Sequence, residues 1–488
     1  MRNRVWAWSA ALLIILSGIA FSGWNISEKE RRALNDRMDT LNLRQKTDFV
    51  ADRSERMLVE PKEENVVKDF TVADVPPEIM MRILPDMTPE YFPEDAKEAA
   101  WANWGKVTRS GDNRFFFSVG DHRGVGCRIH IYEYCPARNT VFRVVDVTKL
   151  LGWTDQSYTD GKIHGRMGIM PDGTLWAATH YGVYPDSSWF ANGFRGSWLL
   201  SYNIFTHEAK NWGVPLVGTN LPEFNLDPKR GRMVGTGSFA TFLCWDCIEK
   251  KVRYAGCPPK GWIWWERAML LDDETGKFWS SDMSDKQYRF LSYDPEYNSF
   301  ERYELSAPEN PYTHTVGQLR GYTEQRAMDG AFYCVAQNGA LFRFRPGSPT
   351  CALHTLGYNP EKPSAEPAGV NWDKGRYTAT TAIDPTGRYF YYMPGGMKGQ
   401  TANEYGPLVQ YDVKTGKKKV LAWLVDYYYE KYGYWVGGTY GMEISKDGAY
   451  LVIVMNGAFV TRDDANGSPY GNPSLFVVHI PPQERPLD

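Results

Sequence analysis

The segment GKIHGRMGIMPDGTLWAATHYG carries the side chains of this sequence that are best suited to acid–base chemistry. The Pro-Asp-Gly turn at its centre predicts a hairpin. Such a hairpin brings Lys162, His164 and Arg166 beside His180 and Tyr181. A histidine base, a phenolic acid and a cation then become neighbours, which is the set of groups that proton transfer requires.

Other residues are expected around the same opening, because they hold corresponding positions in the repeats described below. Arg267 joins His164, His180, Tyr181 and Arg166 as a catalytic candidate. The ligand-binding candidates are His122, Lys162, Trp264, Gln318, Arg320, Arg376, Tyr377 and Tyr440. A single channel histidine is more often a hydrogen-bonded lining group than a catalyst. Arg166 and Arg267 suit inter-blade salt bridges equally well.

A divalent metal is an alternative role for the histidines. His122, His164 and His180 could hold such an ion with one position open. The motif Cys244-x-x-Cys247 favours packed thiols over a disulfide or a metal site, because residues three apart on a strand point to opposite faces. The sequence has no Ser-His-Asp motif, P-loop or dinucleotide fingerprint, so no nucleophilic hydrolase mechanism is indicated.

The elements that must position these residues repeat seven times. In each repeat, a tight Asp/Gly turn precedes a short apolar strand that ends in an aromatic residue and a second turn. The strand ends are Tyr134, Tyr202, Trp245, Tyr293, Phe344, Tyr411 and, in degenerate form, Val478. Each repeat predicts a four-stranded antiparallel meander that cannot bury its own apolar face, so the units must pack around an axis. We expect an all-β fold, a seven-bladed β-propeller over residues 100–488.

The loops indicate which face of this propeller binds a ligand. Long insertions follow the second strands of the second, sixth and seventh repeats: HYGVYPDSSWFANGFRGS, PGGMKGQTANEYGP and NGAFVTRDDANGSPYGNPS. All of them would build walls on a single face of the disc. That face is therefore the expected binding surface.

The N-terminal part has the chemistry of an export signal, with a basic start, an apolar run and small residues. Residues 1–24 are either a cleaved signal peptide or a membrane anchor, because the run 5–24 has about the ~20 residues that span a bilayer. Residues 25–62 predict a charged helical stalk. Residues 63–99 form a lead-in, and we assign its strand-like stretch 66–72 to ring closure. The protein is expected in the periplasm or outside the cell, with an inner-membrane tether as the alternative.

The amino-acid composition limits the classes of molecule that the protein is expected to bind. The formal net charge is −3, which gives no support to nucleic-acid binding. The 18 Trp and 30 Tyr exceed ordinary usage. Most are expected to fill the space between sheets, and the remainder suit sugar-stacking platforms. Any membrane contact is expected only through the N-terminal segment.

The turns MPDG, DPTG and SKDG and the strand ends YDP and YDVKTGK resemble the broad propeller superfamily with YVTN and quinoprotein-like repeats. The stretch KIHGRMGIMPDGTLWAATHYG is similar to a group of uncharacterised exported bacterial propellers. In blade number and in its gathering of His, Tyr and Arg, the chain also loosely resembles propeller polysaccharide lyases of the ulvan and oligogalacturonate types. The resemblance implies the fold and carries over no catalytic residue.

Two functions of different class remain open. In the first, the protein cleaves an acidic saccharide by β-elimination: Arg166 or Arg267 neutralises the uronate carboxylate, a histidine takes the proton, and Tyr181 protonates the leaving oxygen. In the second, a non-catalytic, membrane-tethered propeller binds a protein or glycan partner on its looped face. The enzymatic function needs the histidine cluster, whereas the binding function does not.

Overall fold

The computed structural model describes residues 48–60, 70–84, 102–121, 125–154, 158–182, 190–191, 193–310, 314–346, 354–355, 378–394, 406–459 and 471–486. The predicted N-terminal apolar segment and most of the predicted stalk lie outside these ranges. Within them, no helix has the length and apolar character that crossing a bilayer requires.

Three strands precede the seven blades, and blades 1 to 4 follow them in the chain. The first three strands are β1 (Val50–Asp52), β2 (Phe70–Val72) and β3 (Glu78–Ile83). Blade 1 is β4 (Thr108–Arg109), β5 (Phe115–Gly120), β6 (Ile129–Cys135) and β7 (Thr140–Asp146), followed by the short helix α1 (Val147–Leu150). Blade 2 is β9 (Gly168–Ile169), β10 (Thr174–Ala178), β12 (Leu199–Asn203) and β13 (Ala209–Asn211), with a separate two-stranded sheet of β8 (Asp160–Lys162) and β11 (His180–Tyr181). Blade 3 is β14 (Glu223–Asp227), β15 (Arg232–Thr236), β16 (Phe242–Asp246) and β17 (Lys251–Gly256). Blade 4 is β18 (Leu270–Asp272), β19 (Lys277–Ser281), β20 (Phe290–Asp294) and β21 (Ser299–Arg302).

Three further blades complete the ring. Blade 5 is β22 (Leu319–Tyr322), β23 (Phe332–Ala336), β24 (Leu341–Phe344) and β25 (His354–Thr355). Blade 6 is β26 (Thr380–Ile383), β27 (Tyr389–Met393), β28 (Pro407–Asp412) and β29 (Lys417–Trp423), followed by helix α2 (Val425–Tyr432). Blade 7 is β30 (Trp435–Ile444), β31 (Tyr450–Ala458) and β32 (Ser474–His479) with strands from the N-terminal part. The predicted seven-bladed β-propeller is therefore confirmed.

The repeat signal marks the third strand of each blade. All seven predicted strand ends lie in these strands, and all of them are buried: Tyr134, Tyr202, Trp245, Tyr293, Phe344, Tyr411 and Val478. They belong to hydrophobic clusters whose members come from neighbouring blades. The regular repeat follows from this packing, because each blade buries its faces only against the next blade.

Ring closure uses a different strand from the one predicted. β3 (Glu78–Ile83) pairs antiparallel with β32 and supplies the fourth strand of blade 7, and β1 adds a fifth. β2 (Phe70–Val72), in the segment that we expected to close the ring, instead pairs parallel with β29 at the outer edge of blade 6. Both stretches are short and apolar enough for a strand, so strand propensity alone could not distinguish their positions.

The described end of the predicted stalk is not a long helix. Residues 48–60 contain β1 and a short 3-10 turn, Glu55–Leu58. Asp52 in β1 is buried and accepts hydrogen bonds from Lys431 and Tyr432 of helix α2. The N-terminal chain is thus docked on blade 7 before the repeats begin.

Glycines on or next to the innermost strands allow the blades to meet closely at the axis. A Cβ on Gly165 would lie 2.5 Å from the backbone nitrogen of Phe224, and a Cβ on Gly441 would lie 2.9 Å from the carbonyl oxygen of Gly105. Both distances are shorter than any carbon can tolerate against backbone atoms. Any larger residue would therefore force blades 2 and 3, or blades 7 and 1, apart.

We expect Gly165→Ala to lower the free energy of unfolding by about 1–3 kcal/mol, because overpacking against rigid backbone costs that much. Gly111→Ala is the matched control, since a Cβ there meets nothing within 4 Å. It should change stability by less than about 0.5 kcal/mol. Chemical denaturation of both variants measures the difference, and equal stability of the two would contradict the close packing.

Candidate functional site

The predicted hairpin forms and brings Lys162, His164, His180 and Tyr181 together, but not Arg166. β8 and β11 pair antiparallel, and Lys162 lies opposite His180. The rings of His164 and His180 are 5.8 Å apart, and the rings of His180 and Tyr181 are 4.0 Å apart. We call this end of the channel, defined by Lys162, His164, His180 and Tyr181, the channel mouth.

His164 is held in its neutral form by an arginine from another blade. Its Nε2 atom lies 2.7 Å from Nη1 of Arg267. Arginine only donates hydrogen bonds, so Nε2 accepts and the proton resides on Nδ1. Burial, together with the charges of Arg267 and Arg320, holds the pKa of His164 well below its ordinary value. In this arrangement His164 is a hydrogen-bond donor through Nδ1, and its basic nitrogen is already occupied.

His180 is fixed by a similar contact. Nδ2 of Asn220 lies 3.2 Å from Nδ1 of His180, and the amide nitrogen can only donate. The imidazole therefore accepts at Nδ1 and carries its proton on Nε2 when neutral. His180 is fully buried, so its ring contributes to the wall of the mouth.

Lys162 lies between two aromatic rings of the mouth, and its pKa is strongly lowered. Its Nζ atom lies 5.1 Å from the ring centre of Trp104 and 5.6 Å from that of Tyr181. Burial, followed by repulsion from Arg267, lowers the pKa of Lys162 to about 7. A large fraction of this amine is therefore neutral near neutral pH, which suits a general base.

A second layer of charged residues lies on the innermost strands beneath the mouth. Lys106 donates from Nζ to the carbonyl oxygen of Ala379 at 2.7 Å, and burial followed by repulsion from Arg320 lowers its pKa to about 8. Burial raises the pKa of Glu223 to about 7 against the attraction of Lys106 and Arg320. Arg320 is fully buried and donates to the carbonyl oxygen of Arg267 at 3.1 Å.

Arg166 belongs to the opposite end of the channel. It forms ion pairs with Glu324 at 2.5 Å and with Glu443 at 2.9 Å. These three residues line a cavity with Ile383 and Ile444, which end the innermost strands of blades 6 and 7. Burial raises the pKa of Glu324, and Arg166 opposes that change. The interblade salt bridge that we considered for Arg166 is therefore the arrangement found.

The remaining predicted residues are distributed as follows. Tyr440 lies at the mouth, 5.6 Å from the Trp104 ring and 6.1 Å from the His164 ring. Trp264 packs in a hydrophobic cluster of blades 3 and 4 beside Phe242, away from the channel. Gln318 is half-buried and its carbonyl accepts from the backbone of Gln337. The candidates outside the described residues are His122, Arg376 and Tyr377.

The described residues offer no metal site. No group of three or more His, Cys, Asp or Glu side chains within these ranges could hold an ion. Cys244 and Cys247 are free, buried thiols, as packed cysteines should be. The predicted histidine site also requires His122, which the structure does not describe, so a metal at the mouth stays a prediction.

Sequence reasoning missed Lys106, Glu223, Glu324 and Glu443. Each lies on or directly beside an innermost strand, where a side chain of any blade can face the axis. The signal was available in principle, because aligning the seven repeats by their turns identifies equivalent inner positions. The innermost strands of blades 1 and 2, β4 and β9, have only two residues each. Strands this short give too little pattern to align their inward-facing positions with those of the other blades.

The sequence matches no known protein-family model and no curated protein. Its structure is similar to a chain from "Crystal Structure of Mitotic Checkpoint Complex", with 8% identity, 86% of this chain and 96% of that chain covered, and a TM-score of 0.48. It is also similar to "Crystal structure of RRP9 WD40 repeats", with 10% identity, coverage of 78% and 94%, and a TM-score of 0.44. These similarities carry no information on function.

We expect Arg166→Met to lower the free energy of unfolding by about 3–5 kcal/mol at pH 8, because it leaves two carboxylates without their cation. The loss should shrink at pH 5, since the raised pKa of Glu324 lets the unpaired carboxyl become neutral as pH falls. Arg267→Met should cost less, about 1.5–3 kcal/mol, the value of one hydrogen bond that involves a charged group. Urea denaturation at the two pH values tests this, and equal losses for both arginines would contradict it.

Proposed function

We propose that this propeller binds an acidic saccharide at the channel mouth. The observation that carries the proposal is the convergence of four basic side chains, three of which are buried. Lys106, Lys162, Arg267 and Arg320 converge at the channel mouth and in the layer beneath it. The buried acids described there are Asp160 of β8 and Glu223 of β14, and burial raises the pKa of each to about 7. Buried charge is costly unless an opposite charge balances it, so the mouth favours an anion.

Arg267 is the residue best suited to meet that anion. Its side chain is 28% exposed, whereas Lys162, His164 and Arg320 are almost fully buried. A guanidinium group matches a carboxylate with two parallel hydrogen bonds. Its partner at the mouth, His164, is a neutral ring, which contacts Nη1 of Arg267 and does not balance the charge of the guanidinium group.

The aromatic residues of the mouth support a sugar rather than a small inorganic ion. Trp104 and Tyr440 lie with their rings 5.6 Å apart, and Trp104 is a partly exposed residue. Such surfaces offer large apolar contacts beside polar groups. The export-type N-terminal sequence supports a periplasmic or extracellular location, where acidic polysaccharides occur.

Calorimetric titration with trigalacturonate should give saturable binding, and neutral maltotriose should give none. Arg267→Met should weaken trigalacturonate at least tenfold, because a hydrogen bond to a charged group is worth about 1.5–3 kcal/mol. Arg253→Met, on the outer strand β17 of blade 3, is the matched control and should bind normally. Equal binding of the neutral and acidic trisaccharides would refute the proposal.

β-Elimination is the second candidate function, and the position of Lys162 beside Tyr181 favours it. The neutral Lys162 amine would take the proton from the carbon next to the uronate carboxylate. The electrons of that C–H bond would form the new carbon–carbon double bond as the glycosidic C–O bond breaks. The leaving oxygen would receive a proton from the Tyr181 hydroxyl, so no co-reactant is needed. Lys162 replaces the histidines as base because Arg267 occupies His164.

If elimination occurs, the rate should rise with pH and level off above about pH 7, since burial lowers the pKa of Lys162 to about 7. The ultraviolet absorbance of the unsaturated product measures this rate. Lys162→Arg should abolish the rate while keeping the positive charge. Lys210→Met, on the outer strand β13, should not change it. Trigalacturonate binding without any product between pH 6 and 9 would identify a binding module instead of an enzyme.

A further inference from the structure

We propose that His164 and Glu223 together hold a hydroxyl group of the bound acid, so that the mouth selects hydroxylated acids over simple carboxylates. This inference rests on the proposed binding of an acidic ligand and names the feature by which that ligand is recognised. It assigns a specificity role to Glu223, which no sequence motif indicated.

The two residues lie beside one backbone contact between blades 2 and 3: His164 is in the segment between β8 and β9, and Glu223 begins β14. The backbone nitrogen of Arg166 donates to the carbonyl oxygen of Phe224 at 3.0 Å, which joins the chain at 164–166 to the chain at 223–224. Gly165 makes this approach possible, because any side chain there would collide with Phe224. His164 and Glu223 therefore flank the same backbone contact.

Both side chains also face the axis. His164 reaches Arg267 of blade 4, which lies beyond blade 3 in the ring. Charges from Arg267 and Arg320 act on both His164 and Glu223, and Lys106 from blade 1 acts on Glu223. Groups from several blades surround each side chain only where the blades converge, which is the channel.

Each of the two residues keeps one buried polar atom without a hydrogen-bond partner among the described residues. The atoms are Nδ1 of His164 and Oε1 of Glu223, in residues that are 4% and 1% exposed. Nδ1 carries the proton, because Nε2 accepts from Arg267. Oε1 of the carboxylate is an acceptor. Leaving both unpaired costs free energy, so the pair suits a group that the described residues do not supply.

A hydroxyl is the group that fits a donor beside an acceptor. It donates one hydrogen bond and accepts others, whereas an ammonium group only donates and a carboxylate only accepts. An ammonium group is also disfavoured by the surrounding basic residues Lys106, Arg267 and Arg320. The carboxylate of the ligand would meet Arg267, and a ring hydroxyl would lie between His164 and Glu223. A site that pairs with a hydroxyl strongly rejects an analogue that lacks it.

The test compares two ring acids of similar size, galacturonate and cyclohexanecarboxylate, by calorimetry on the full chain at pH 8. Glu223 is ionised there, since burial raises its pKa only to about 7. We expect galacturonate to bind at least tenfold more tightly than cyclohexanecarboxylate. Glu223→Met removes the acceptor and should bring the two affinities within about threefold of each other.

Glu223→Gln is the matched variant, because its side-chain carbonyl keeps an acceptor in place, and it should retain the preference for galacturonate. If Glu223→Met does not fold, the affinities of the wild-type protein for galacturonate and cyclohexanecarboxylate still test the inference. Equal affinities for the two acids in the wild type, or no binding of galacturonate, overturn the inference. The titration with trigalacturonate and maltotriose then decides separately whether the proposed function stands.

Discussion

The structure depends on the close approach of its innermost strands around the axis. Gly165 and Gly441 leave no room for a side chain between neighbouring blades, so the channel is narrow. Large charged residues on those strands must then fill it, as the almost complete burial of Arg320 and Glu223 illustrates. The channel is filled by a column of interacting side chains. Its charge and its free hydrogen-bonding groups depend on which of these side chains have an oppositely charged or hydrogen-bonding partner.

These partners come from different blades, so they also connect the ring. Lys106 of blade 1 donates to the backbone of Ala379 before blade 6, and Arg267 before blade 4 contacts His164 before blade 2. At the joint between the last and first blades, Asn456 and Asn103 exchange hydrogen bonds of 2.8 and 3.1 Å. The contacts that form the site are thus part of the contacts that close the propeller. For this reason, the stability of each variant at the mouth must be measured together with its binding.

Sequence reasoning succeeded where a pattern repeats and failed where a single residue acts alone. Six of the seven third strands end in an aromatic residue such as Tyr293, and the hairpin of Lys162 and His180 follows from one turn signal. The closing strand could not be chosen between 66–72 and 78–83, because both stretches have the composition of a strand. Glu223 was missed because an inner strand in a filled channel is buried on both sides, which removes the alternation that marks a face.

The contrast between Arg166 and Arg267 explains why residue type alone could not assign the site. Both lie on or just before innermost strands and both point into the channel. Arg166 meets two carboxylates, so its charge is balanced within the chain. Arg267 meets a neutral imidazole in the channel, and its nearest carboxylate, Glu266, is 3.9 Å away and 33% exposed. Because buried or half-buried charges tend toward neutralisation, the end of the channel that holds Arg267 is the end that favours an external anion. The partner of each arginine, and not the residue type, therefore determines which opening we propose as the binding site.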